Sequence, residues 1–325
     1  MSAVQVLDEC MARADHPGRA TISPRRRLSG TGIVLSPSGE VLTNNHVISG
    51  ATTITATDVG NGKTYPATVV GYDPRHDIAV LQLRGASGLA TASIGDSNGV
   101  AVADHIAAIG NAGGRGGTPS VAAGTVSALN QAATVSNDVT GGAEQLSGMI
   151  QVAADVQPGD SGGPLVNAAG QVIGIDTAGS VDARWQSGGN IGLAVPINDA
   201  LTISRQIWAG TASTTVHIGA TGILGILVDN SGAQTAPGRR GSIEHRYGSA
   251  AAVVAGVVPG SPAAEAGLTA GDTVVSLDGT TVDSPATLTS ILTDHHPGDS
   301  MRVAWMDVSG QQHTATVRLA SGPPN

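Results

Sequence analysis

The chain has 325 residues, 40% hydrophobic and 13% charged, which is enough apolar side chain for packed cores and too much length for one ordinary domain. Its formal net charge of −9 supplies no field for phosphate and excludes nucleic acid as a partner class. One cysteine allows no internal disulfide, and 46 Gly with no Phe and 2% aromatics predict cores of Val, Ile, Leu and Ala on many short strands.

Residues 1–19 are expected to form a separate polar segment, helical over Met1–Asp15. It holds no apolar run of the length a signal peptide or membrane span requires, so no export signal is read from the sequence as given and a cytoplasmic place stays open. Residues 20–210 read as a first, mainly β domain: short β-prone runs such as Thr31–Leu35, Val41–Thr43, Ile78–Leu83, His105–Ile109, Gln171–Ile175 and Ile191–Val195 are separated by Gly, Pro, Asn and Asp. So many short strands point to closed barrels rather than a βαβ sheet. A helix capped by Asn198 closes this domain, with Ala200, Ile203 and Ile207 as an apolar stripe that Leu201 and Trp208 widen, and it ends at Gly210. Residues 211–216 form a polar linker. Residues 217–321 form a small α/β domain with helices near Ser261–Leu268 and Ser284–Leu292, strands at Thr273–Leu277, Arg302–Trp305 and Thr314–Leu319, and a long loop over residues 229–252.

Nucleophilic catalysis by serine needs an exposed hydroxyl on a tight turn, a base within reach, an acid to orient it, and donors for an oxyanion. Gly159-Asp160-Ser161-Gly162-Gly163-Pro164 supplies the turn, with the amides of Gly159 and Ser161 as the oxyanion donors. His46, in Thr43-Asn44-Asn45-His46-Val47-Ile48, is the candidate base. Asp77 stands directly before the apolar strand Ile78-Ala79-Val80-Leu81, where an unpaired carboxylate is costly to bury, and His46 Nδ1 is the expected partner; Asp73 and His76 are the near alternatives. Gly159, Ser161 and Gly163 also satisfy the bare Gly-x-Ser-x-Gly pattern of α/β-hydrolases, but Pro164 and the strand-like Leu165-Val166 follow instead of a helix. The glycine run Gly113–Gly117 lacks the Lys-Ser/Thr pair of a phosphate loop, and His295-His296 reads as a solvated turn, so neither a cofactor nor a metal is expected.

The order His, Asp, Ser, with "TNNHV", "DIAVLQL" and "GDSGGP", resembles the high-temperature-requirement (HtrA) family of trypsin-like proteases over about residues 20–320. The resemblance implies two six-stranded β-barrels with His46, Asp77 and Ser161 as the triad, and cleavage of unfolded or damaged proteins. It implies a place in the cell envelope or outside the cell. "IGN" at Ile109–Asn111 is similar to a segment beside the family's active site. Gly222-Ile223-Leu224-Gly225-Ile226 resembles the carboxylate-binding loop of PDZ domains, and Val258–Ala263 with Ala266–Asp272 resembles the PDZ core signature, which implies C-terminal peptides as ligands. Ile223, Leu224, Gly225 and Ile226 are the expected peptide-binding residues.

The sequence departs from the family in three places. Asp155 stands where trypsin-like enzymes have the base of the S1 pocket and would favour Lys or Arg at P1; the family's preference for small aliphatic P1 residues places Val156 along S1, with Gly179 flanking the pocket. Family trimers are often held by aromatic and apolar residues near the N-terminus, and the first 20 residues here contain no aromatic, which argues against carrying the homotrimer over from the resemblance. Asp160 replaces a common asparagine, and the sequence indicates no partner for its charge. The competing reading from another class is a PDZ-based chaperone or adaptor with little proteolytic activity.

Overall fold

A computed structural model describes residues 3–10, 27–136, 143–177, 191–228 and 252–322. The chain divides into two compact units between Gly219 and Ala220.

In the first unit β1 (Ala3–Cys10), β2 (Arg27–Val34), β3 (Glu40–Thr43), β4 (Ala51–Asp58), β5 (Thr64–Asp73) and β6 (Ile78–Leu83) pair antiparallel in the order β5-β4-β1-β2-β3-β6, and a β5–β6 pairing closes the ring. The expected N-terminal helix is corrected here. Residues 3–10 are a strand held between β2 and β4, because β-branched Val4 and Val6 alternate at the period of a strand and both are fully buried in the barrel core with Val34, Val41 and Leu81. The barrel therefore starts well before residue 20. A turn over Ser36–Gly39, closed by the Gly39 N–H on Ser36 O, leads into β3, and the single helical turn α1 (Asn45–Ile48) follows it.

The second barrel is built from β7 (His105–Gly110), β8 (Ser120–Ser136), β9 (Ala143–Ala153), β10 (Pro164–Asn167), β11 (Val172–Thr177) and β12 (Gly192–Pro196), closed in the order β10-β11-β12-β9-β8-β7. Its interior is filled by Ile106, Val126, Ile150, Val152, Leu165 and Ile173. A further apolar cluster joins the barrels: Ile33, Leu42, Ile78 and Val80 of the first pack with Ile175 and Val195 of the second and with α2 (Ile197–Trp208). Ala200, Ile203 and Ile207 form the buried stripe of α2, as the periodicity predicts. Asn198 does not cap this helix. Pro196 occupies the cap position, and the Asn198 side chain lies in the first turn, where Nδ2 donates to Asp96 Oδ1 at 2.6 Å. Trp208 lies off the stripe, 39% exposed, with its indole hydrogen-bonded to Glu40. The first unit ends on β13 (His217–Ile218), which pairs with β5 and sets the His217 ring 5.0 Å from that of Tyr72, so His217 belongs to this unit and not to the next.

The second unit contains β14 (Thr221–Ile223), β15 (Ile226–Val228), β16 (Ala252–Val257), α3 (Pro262–Ala266), β17 (Thr273–Leu277), β18 (Thr280–Thr281), α4 (Pro285–Thr293), β19 (Ser300–Met306), β20 (Gln312–Arg318) and β21 (Ala320–Gly322). Both helices begin with Pro behind a capping serine: Ser261 Oγ accepts from the Ala264 N–H and Ser284 Oγ from the Thr287 N–H. One core, with Leu224, Val254, Val274, Leu288, Met301 and Trp305, lies between helices and sheet. Residues 229–251, most of the expected long loop, fall outside the described residues.

Ile175 is fully buried where the barrels meet. Ile175→Ala is expected to lower the unfolding free energy by about 3 kcal/mol, read as a lower urea midpoint at unchanged slope.

Candidate active site

His46 sits in α1, directly after the end of β3, and Asp77 sits at the entrance to β6, which pairs with β3. The tight 3₁₀ turn Pro74–His76 delivers Asp77 in a left-handed conformation (φ 54°, ψ 45°) that turns its carboxylate back toward α1. Asp77 Oδ2 lies 2.8 Å from His46 Nδ1, and Oδ1 accepts the backbone N–H of His46 at 2.9 Å. A carboxylate only accepts, so the imidazole proton in this bond is on Nδ1 and Nε2 is left as the basic nitrogen. Asn44, fully buried, donates from Nδ2 to Asp77 O at 2.8 Å and fixes the backbone of the acid. The alternatives Asp73 and His76 pair with each other, Nδ1 to Oδ2 at 2.8 Å, and Asp73 Oδ1 caps the turn through the His76 N–H. A local pairing three residues apart thus removes both from competition for His46.

Ser161 is carried by the second barrel, on the turn that precedes β10. It is 4% exposed, against 19% for the His46 side chain. The turn is tied to the first barrel through Thr31 of β2. The Thr31 N–H donates to Ser161 O at 2.8 Å, Thr31 Oγ1 donates to Gly159 O at 2.8 Å, and Thr31 O accepts Thr43 Oγ1 at 2.7 Å, three residues before His46. Gly162 (φ 84°) must be glycine here, because a Cβ would overlap Thr31 O and Thr43 Oγ1. Gly159 and Ser161 are separated by Asp160, whose own N–H is used within the turn on Gln157 O at 2.9 Å.

Asp160 is buried and its charge is met by side chain and backbone. Ser120 Oγ, itself accepting from the Ala112 N–H, donates to Asp160 Oδ1 at 2.7 Å, and the Gln157 N–H donates to Oδ2 at 2.9 Å. The Ile109–Asn111 segment lies against the same turn: the Asn111 N–H reaches Gly159 O and the Gly113 N–H reaches Pro158 O.

Of the residues expected in S1, Asp155 is exposed and its Oδ2 is clipped by Gln157 Nε2 at 2.9 Å. Val156 is half-buried and packs so closely on Gly192 of β12 that a Cβ there would overlap it. Gly179 lies outside the described residues. In the second unit Ile223 ends β14, Leu224 and Gly225 form the bend, and Ile226 starts β15. The carbonyls of Leu224 and Gly225 accept from Ala263 N–H and Val258 N–H at 2.9 Å each, which pins the bend to the first turn of α3 and to the end of β16. Among the described residues β15 is an edge strand, paired only with β16.

Thr31, Ser120 and Asp176 carry no sequence motif that marks them; Thr43 and Asn44 lie inside "TNNHV", but their contacts depend on β2 and Asp77.

Two such barrels, with a His–Asp pair on one and a glycine-bounded serine on the other, are the architecture of a trypsin-like peptidase domain. The trypsin-like peptidase domain model matches residues 30–175, and the PDZ domain model matches residues 253–305. The chain belongs to the HtrA/DegP family. It is 35% identical over 312 residues to the serine protease PepD of Mycobacterium tuberculosis, covering 91% of this chain and 61% of that protein. It is 36% identical over 262 residues to the periplasmic serine endoprotease DegP of Escherichia coli, covering 80% and 50%. The chain thus spans about half to two thirds of the length of these curated relatives. Among solved structures, the HtrA-type protease AlgW with decapeptide aligns with a TM-score of 0.51 and 29% identity over 100% of this chain and 96% of that one.

Thr31→Val keeps shape and the backbone bond to Ser161 but removes the hydroxyl donor to Gly159. A loss of about 1 kcal/mol in unfolding free energy is expected, measured by chemical denaturation.

Proposed function

We propose that this chain is a serine endopeptidase of the HtrA type, with Ser161 as nucleophile, His46 as general base and acid, and Asp77 as the group that orients His46. The observation that carries this reading is the double hold of Asp77 on His46, at Nδ1 and at the backbone N–H, beside a serine turn fastened to the same barrel by Thr31. In this mechanism His46 Nε2 takes the Ser161 hydroxyl proton as Oγ attacks the peptide carbonyl carbon. The carbonyl oxygen becomes an anion facing the amides of Gly159 and Ser161. His46 then gives its proton to the leaving amine, the C–N bond breaks, and an acyl-enzyme remains on Ser161. Water, deprotonated by His46, releases the acid and restores the serine. Asp77 keeps the imidazole in one tautomer and balances the imidazolium that forms in each half-reaction.

Unfolded or damaged proteins are the proposed substrates, and C-terminal peptides the proposed ligands of the Ile223–Ile226 bend, added as a strand beside β15. Small aliphatic P1 residues are favoured over basic ones, because Val156 packs on Gly192 while Asp155 is turned to solvent and held by Gln157. The relatives named periplasmic support a place in the cell envelope.

Casein digestion by the purified chain is expected to be lost in Ser161→Ala with folding intact; equal digestion by both would overturn the serine mechanism, and digestion by neither, with C-terminal peptides still bound, would favour an adaptor. In a peptide panel varied only at P1, Val and Ala substrates are expected to exceed Lys and Arg substrates in kcat/KM by at least about tenfold, the scale of about 1.4 kcal/mol. The reverse order would return Asp155 to the pocket.

A further inference from the structure

Behind the nucleophile turn lies an acid that the proposed reaction does not use. Asp176 of β11 is fully buried, and among the described residues no hydrogen bond of ordinary geometry reaches either carboxyl oxygen. The Ile109 amide stands close enough to relieve only part of that deficit. The backbone of Asp176 is nonetheless part of the turn's support: the Gly162 N–H donates to Asp176 O, and the Asp176 N–H donates to Gly163 O, each at 2.8 Å. Its neighbour Asp160, 3% exposed, has both oxygens engaged by Ser120 Oγ and the Gln157 N–H. The room for the Asp160 carboxylate comes from Gly110 at the end of β7, where a Cβ would overlap Asp160 Cα and Oδ1.

We propose that Asp160 and Asp176 are positioning residues of unequal charge: Asp160, clamped as a carboxylate by Ser120 and Gln157, holds the Gly159–Ser161 turn, and Asp176 supports that turn only while its own carboxyl is uncharged. The proposal rests on the serine-endopeptidase reading.

Burial first, and then the charge of Asp160, hold the Asp176 carboxyl well above the usual carboxylate range. The strands paired with β11 present uncharged residues, Ala194 of β12 opposite Asp176 and Pro164 of β10 opposite Ile175, and Ile109 of β7 offers its amide. Among the described residues Asp160 is the charge that acts on it. In the unfolded chain Asp176 loses its proton in the ordinary carboxylate range; in the folded chain it does so only at higher pH. Between those two values the folded state holds the extra proton, so stability declines as pH rises through the window and levels off above it. Beyond the upper value two carboxylates face each other behind Ser161, and their repulsion drives Asp160 off its two donors.

The test has two parts. The kcat and KM of the wild type, Asp176→Asn and Asp160→Asn are followed from about pH 5 to about pH 11 on a chromogenic peptide, with circular dichroism at each pH. Wild-type kcat is expected to fall reversibly at the alkaline end, about tenfold per pH unit, with KM steady and the fold retained. Asp176→Asn should lose that limb and unfold at higher temperature than the wild type by a margin that grows from acid to neutral pH. Asp160→Asn removes the neighbouring charge and with it the repulsion, so it should lose the alkaline limb as well, while its Asp176 carboxyl titrates at lower pH than that of the wild type. In the second part the Asp176 carboxyl carbon is titrated by NMR in Ser161→Ala, which is independent of cleavage. A carboxyl still protonated at neutral pH supports the pair. Ionisation in the ordinary carboxylate range, or an alkaline limb unchanged in Asp176→Asn, overturns it. A wild type that cleaves nothing sinks the endopeptidase reading while the NMR titration still decides the charge state of Asp176.

Discussion

When base and nucleophile ride on different barrels, the distance between them is set by whatever fixes one barrel to the other, and at the site itself that tie runs through Thr31. Its amide, hydroxyl and carbonyl are all committed: two donate to the turn that carries Ser161 and one accepts from Thr43 beside α1. Hydrogen bonds are directional and weaken steeply with misalignment, so three of them on one residue define both a spacing and an orientation. The glycine at 162 follows from the same closeness, since no side chain fits between Thr31 O and Thr43 Oγ1.

The apolar cluster between the barrels does a different job. Each fully buried Ile or Val in it contributes about 1.5–3 kcal/mol, against about 1 kcal/mol for a typical hydrogen bond, so the association of the barrels rests on Ile33, Leu42, Ile78, Ile175 and their neighbours. Hydrophobic contact, however, is non-directional and would tolerate small slips of one barrel on the other. Stability and register are therefore supplied by separate groups, and a mutation can damage one with little effect on the other. The covering helix α2 adds to the first through Ala200, Ile203 and Ile207.

What could be read from the sequence was what is local. The two-barrel architecture followed from short β-prone runs and turn residues, and the His46–Asp77 pair from an acid placed before an apolar strand that had to find a partner. Local pattern misleads where a distant segment decides the outcome. Met1–Asp15 reads as a polar helix when taken alone; residues 3–10 are a strand because β2 and β4 offer pairing on both sides and a core for Val4 and Val6. Asn198 has the composition of a cap but is drawn to Asp96, about a hundred residues away. Ser120 gives no sign of its role, because its partner Asp160 is 40 positions on and is reached only when β7 and β8 pair.

The buried acids of this site differ in the donors that reach them. Asp77 takes two N–H groups of His46, Asp160 takes a hydroxyl and an amide, and Asp176 takes none of ordinary geometry, with burial pushing its carboxyl upward. Desolvation disfavours any ion placed there, so the donors decide where a negative charge can persist. The set around Asp160 is also specific for aspartate. Ser120 Oγ already accepts from the Ala112 N–H, which leaves its own proton to be given away, and the Gln157 N–H is a second donor. An asparagine at 160 could take one of these with its oxygen, but its amide would then present a donor to the other. Ser120 would have to accept twice, and its proton would lose its acceptor. The aspartate that departs from the family pattern is thus matched to Ser120, and a change at either position alters what the other requires.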